Sequence, residues 1–175
     1  MLKLTKRYFT LKKICKRYGV KLKLHSNEGQ GSFTFSIPRW GERKFNLAEI
    51  KVCLWDDALW EIYFHELGHL LDAKRTRGYE EGVYNNLPNF DMSEDSFMKD
   101  YIKDKNLSNY SSLIICEARA SRIAVKLLKT TGKLQKGSVS YLTRCFSPYS
   151  RGVCKQQIAD VDYKYIQYIK GTRVN

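Results

Sequence analysis

Two of the chain's three histidines, His65 and His69, stand four residues apart in the run YFHELGHLLD (residues 63–72), with Glu66 between them. On a helix, positions i and i+4 lie about 40° apart on one face and one turn apart along the axis. Both imidazoles can therefore aim a nitrogen at a single ion. Glu66 lies about 100° round from His65, at the edge of that face. It is badly placed as a third ligand but can reach a water held by the ion. Two nitrogen ligands with a carboxylate base beside them suit zinc-assisted hydrolysis. Gly68 presents no side chain, so another backbone or a substrate can approach the helix there. Glycine costs about 1 kcal/mol in a helix interior relative to alanine, so its presence asks for a reason.

A catalytic zinc needs a third protein ligand and an open position. The remaining histidine, His25, lies upstream at the end of a strand-like run and reads as a surface or core residue. A carboxylate is therefore expected. Asp72 lies seven residues after His65, two turns along the same face, too near in sequence to close a tetrahedron comfortably. It reads either as a residue behind the ligands that orients a histidine or as a surface carboxylate meeting a later loop. Glu117 is the better ligand. It is the only acid between Asp104 and Asp160, in the otherwise apolar and basic run IICEARASRIAVKLL. Ile114, Ile115, Ala118 and Ala124 imply close packing of that helix, and a carboxylate near such a face needs a charged partner. A zinc ion would serve, and so would Arg119 or Arg122 at the surface.

The elements that must position these residues can be read from spacing. Residues 4–18 have helical periodicity (Leu4, Tyr8, Leu11, then Ile14 or Cys15) and stop at Gly19. Three strand-like runs follow, at 21–25, 32–38 and 45–55, separated by the turn signals NEGQG and RWGER. Asp56 or Asp57 can cap a helix running to about residue 75, which carries HELGH. Residues 76–92 read as a loop long enough to act as a lid. Residues 93–105 form a helix with Ser93 as cap. Residues 111–130 form the longest helix, ended by Gly132, and two more are expected near 138–146 and 154–169. Helix, small sheet, helix, loop, helices is an α+β order, with a small, mostly antiparallel sheet. The run VCLW (52–55) is expected at the edge of the cleft, where it could pair with an extended substrate.

The 175 residues suit one domain, with 43% apolar residues. No apolar run is long enough for a membrane span. The N-terminal segment has charges every few residues and does not read as a secretory signal. With five scattered cysteines and no CxxC pair, a reducing, cytoplasmic setting with free thiols is expected, and no zinc ribbon is expected. The net charge of +13 is uneven. Residues 1–27 hold nine Lys/Arg and no acid, residues 28–111 are net −5, and residues 112–175 are net +9. The basic flanks could bind nucleic acid or serve only as a solvated surface. The acidic centre favours a basic substrate.

Together these residues resemble the gluzincin metallopeptidases, in which a glutamate on a second helix completes the HExxH site. They are most similar to the catalytic domain of anthrax lethal factor and lethal-factor-like peptidases. HELGHLLD ends in Asp72 as that group's HExGHxxD does, and the gap from His69 to Glu117 is similar. Tyr110 stands seven residues before Glu117, where the family has a tyrosine facing the zinc. EARASRIAVKLL looks like the family's glutamate helix, and YKYIQYIKG like its closing helix. The likeness covers roughly residues 50–170. The chain departs from it at Ala118 and Arg119, where the family is more aromatic. ImmA/IrrE-type peptidases, which share HELGH and an ExxAxxxAxxLL-like helix, are a second comparison, with motifs lying closer together.

The resemblance implies a single zincin-like domain: a basic helix (1–19), a catalytic core (20–130) and a helical tail (131–175). It implies zinc-dependent endopeptidase activity on a specific intracellular protein. His65, His69 and Glu117 would hold Zn2+, with Glu66 activating the zinc-bound water. Tyr110 would donate to the developing oxyanion, unless it is simply a packing tyrosine. The competing reading is a zinc-stabilised module that binds nucleic acid or a protein, with little turnover. A third is a structural metal closed by Asp72 or His25.

Overall fold

In the computed structural model, residues 2–35, 48–76, 92–106, 111–150 and 163–171 are described. Among them are six helices and three strands: α1 (Leu2–Tyr18), β1 (Lys21–Leu24), β2 (Ser32–Phe35), β3 (Ala48–Val52), α2 (Leu59–Thr76), α3 (Met92–Asp104), α4 (Ser111–Thr130), α5 (Ser138–Ser150) and α6 (Tyr163–Lys170). The chain is thus α+β and dominated by helices. No described helix is long and apolar enough to cross a membrane.

Helix ends follow local chemistry. Gly19 and Gly132 take positive φ just past α1 and α4. At both ends the next amide closes back on the last turn, Val20 N–H to Cys15 O at 2.9 Å and Lys133 N–H to Leu128 O at 2.8 Å. This arrangement satisfies carbonyls that a helix end otherwise leaves open. Asp56, not Asp57, serves the start of α2. Its carboxylate accepts from Ala58 N–H at 2.7 Å and from Gly29 N–H at 2.5 Å, tying the turn before β2 to the helix.

The sheet corrects an expectation. Its order is β1-β3-β2, with β1 parallel and β2 antiparallel to β3. It is a mixed sheet, not a mostly antiparallel one, because β3 inserts between the two strands that precede it. Leu22, Ile50 and Phe33 share one row. β3 is therefore the central strand, buried along most of its length, as suits a strand covered on both sides. VCLW starts at its end and is not a sheet edge; Cys53 within it is fully buried. The ends expected for the second and third strand runs (36–38 and 45–47), the loop at 77–91, and residues 154–162 of the last helix fall outside the described residues.

The core has α2 and α4 at its centre. Leu67 and Leu70 of α2 and Ile114, Ala118, Ala124 and Leu128 of α4 are fully buried. Around them pack Leu11 of α1, Ile50 of β3, Met98 of α3, Leu142 of α5 and Tyr165 of α6. The small residues of α4 let it come close to α2. A Cβ placed on Gly68 would lie 2.5 Å from the backbone oxygen of Ala120. Gly68 thus gives up helix propensity for contact between two backbones.

Polar groups fix the outer helices to α2. Cys15 Sγ of α1 lies 3.2 Å from the Tyr63 hydroxyl. Arg7 Nη1 donates to the carbonyls of Leu54 (2.8 Å) and Asp56 (3.2 Å). At the start of α5, Ser138 donates to the buried Glu61 carboxylate and accepts from Gln135 N–H.

Candidate metal centre

α2 presents His65 and His69 from successive turns, toward α4. Their rings stand nearly perpendicular, at 87° with centroids 4.7 Å apart, and their Nε2 atoms are 3.2 Å apart. Glu117 comes across from α4. Its Oε2 lies 2.9 Å from His65 Nε2 and its Oε1 3.5 Å from His69 Nε2. All three side chains are only 14–15% exposed. The close approach at Gly68 makes this reach possible, since Ala120 lies one turn beyond Glu117 and Gly68 directly precedes His69.

The three donors fit a zinc ion. Bonds of about 2.0–2.1 Å in a tetrahedron set neighbouring ligand atoms about 3.3 Å apart. The separations here, 2.9, 3.2 and 3.5 Å, bracket that value. Among the described residues this is the one His/Cys/Asp/Glu group that could hold a metal ion. Neither Asp72 nor His25 belongs to it. The His25 Nδ1 atom accepts from Asn27 N–H in the turn after β1.

The remaining imidazole nitrogens are also engaged. Ser121 Oγ lies 3.2 Å from His65 Nδ1, and Cys116 Sγ 3.4 Å from His69 Nδ1. Such partners would fix which nitrogen faces an ion held by the cluster. Tyr165 of α6, fully buried, lies close enough to Ser121 for the two hydroxyls to interact electrostatically. Ser121 and Cys116 hold the positions from which Asp72 was expected to orient a histidine. Asp72 is wholly buried, with Oδ1 3.4 Å from Nε of the equally buried Arg119. It thereby links α2 to α4 through an ion pair two residues from Glu117. Arg122, the other cation considered as a partner for Glu117, lies over the Tyr168 ring at 5.0 Å. Ser121 could have been found in the sequence, because it follows Glu117 by one helical turn.

Electrostatics favour a charged carboxylate. Burial alone would raise the Glu117 pKa, but hydrogen bonds from His65 and His69 outweigh it and hold the group at about 2. Burial would lower the His69 pKa, yet contacts with Cys116 and Glu117 raise it well above the usual histidine value. A metal ion entering this site must displace a proton from His69. Metal affinity is therefore expected to fall as the pH falls. The fall should be about tenfold per pH unit for each displaced proton, read between about pH 6 and pH 8 by competition against a chromophoric chelator. Affinity that stays flat across this range would mean that His69 is no ligand.

Glu66 is half-buried next to His65, and Gly31, just before β2, lies against it. A Cβ on Gly31 would overlap Ile62 and come 3.0 Å from Glu66 Oε1. The start of β2 thus walls the carboxylate in. Tyr110 lies outside the described residues. Compared with protein-family models, curated proteins and solved structures, the chain matches none.

Proposed function

We propose that the chain is a zinc-dependent endopeptidase with a zincin-like fold of the gluzincin kind, most similar to lethal-factor-like catalytic domains. The observation that carries this reading is the convergence of His65, His69 and Glu117 at zinc-ligand spacing, with Glu66 next to them. Zinc bound by these three residues would polarise the scissile carbonyl and acidify a water. Glu66 takes the proton from the attacking water and hands it to the leaving amine. Ser121 and Cys116 keep the imidazoles oriented. Tyr110, in the role that the resemblance gives it, donates to the developing oxyanion. A peptide with basic residues suits the acidic central segment. The free thiols of Cys15, Cys53, Cys116 and Cys145 fit a reducing, cytoplasmic setting.

Metal analysis of the purified protein tests the site. About one zinc per chain is expected, and Glu117→Ala should lose it or bind it far more weakly. No zinc uptake at neutral pH sinks the proposal. Zinc unaffected by the substitution removes Glu117 from the ligand set. The basic helix α1 favours a second reading, a zinc-stabilised module that binds nucleic acid or a protein without turnover.

A further inference from the structure

Helix α1 has two unlike sides. Leu11 and Cys15 are buried against the rest of the protein, and Arg7 turns inward to the Leu54 and Asp56 carbonyls. On the opposite side Phe9 is 61% exposed and Leu2, two turns earlier on the same line, is 91% exposed. At 100° per residue, the helical neighbours of Phe9 are the positions three, four and seven residues away. Besides Leu2, those positions hold Thr5, Lys6, Lys12, Lys13 and Lys16, all exposed. No acid occurs anywhere in α1. An aromatic ring and a leucine therefore share an outward face with exposed lysines interspersed among them.

We propose that this face docks on an anionic lipid surface, with α1 lying parallel to it. The charge pattern attracts acidic headgroups, and lysine stems can reach up to phosphates while the residues between them go deeper. Phe9 and Leu2 then enter the headgroup–acyl boundary instead of facing water. Nucleic acid accounts for the lysines but not for Phe9 and Leu2 exposed on the same face. Single strands bind in grooves where bases stack on aromatic rings, and α1 offers a convex ridge with a leucine along it. The cations available outward are almost all lysines, which act as point charges without the planar fork used for phosphate and base recognition. A flat, anionic, partly apolar partner meets all these residues at once.

Sedimentation of the full chain with vesicles tests the proposal. Vesicles of phosphatidylcholine with about one-third phosphatidylserine should carry the protein down, and phosphatidylcholine alone should not. Phe9→Ser should weaken binding about tenfold. Lys6, Lys13 and Lys16 changed together to Ser should weaken it about a hundredfold. All four residues are exposed, and unchanged circular dichroism and zinc content would show that the fold is kept. Two results would overturn the proposal. One is no binding to anionic vesicles at low salt. The other is binding that ignores Phe9, with the same lysines governing retention on single-stranded or duplex DNA.

Discussion

Glu66→Gln is expected to leave zinc in the protein and lower peptide cleavage by roughly a hundred- to ten-thousandfold, the range over which a positioned base acts. Glutamine has nearly the same shape as glutamate, so the wall formed by Gly31 still accommodates it. It cannot take a proton from water. His65, His69 and Glu117 make up the ligand group without Glu66, so the metal should stay. The measurement pairs zinc content with cleavage of a peptide mixture enriched in basic residues, followed by mass spectrometry. Loss of both zinc and cleavage would mean that Glu66 supports the site structurally. A wild-type protein that holds zinc yet cleaves nothing, with a variant that behaves identically, would favour the binding-module reading.

Gly68→Ala should destabilise the protein by about 1–3 kcal/mol and weaken zinc binding along with it. Helix propensity alone predicts the opposite sign, a gain of about 1 kcal/mol. The contact decides between them. The added methyl would meet the backbone of Ala120, with its oxygen at 2.5 Å and its Cα at 3.0 Å. Backbone in the middle of a helix cannot swing aside as the end of a long side chain can. α2 and α4 must separate, and Glu117 moves away from the histidines with α4. Denaturant unfolding of the metal-free protein measures the first effect, and a zinc titration the second. A variant that gains stability and keeps its zinc affinity would show that the two helices do not touch at this point.

The site was more legible in the sequence than the sheet. HELGH carries its own geometry, because i and i+4 on a helix share a face whatever surrounds them. Glu117 stood out as the lone acid in a long basic and apolar stretch. The limits of α4 follow from its apolar periodicity and Gly132. Strand order has no comparable local signal. The NEGQG turn suggests that its two flanking strands pair, yet β3, which follows later, pairs with both. The partners of Asp72 and Arg119 were equally hidden. Charged residues usually lie outside, and nothing in the run EARAS marks Arg119 as buried. Only the fold shows that it meets a carboxylate from the neighbouring helix.

The placing of β3 between its predecessors also bears on how the chain is made. As synthesis proceeds, β1 and β2 emerge first and share no hydrogen bonds in the finished sheet. Each must wait, edges open, until Ala48–Val52 has left the ribosome. Unpaired strand edges invite pairing with other chains, so both strands are open to such pairing in the interval before β3 arrives. Once in place, that one strand satisfies both neighbours and supplies Ile50 and Val52 to the core. The sheet can thus close early, whereas the core must wait for α2 and α4, which follow β3 in the chain.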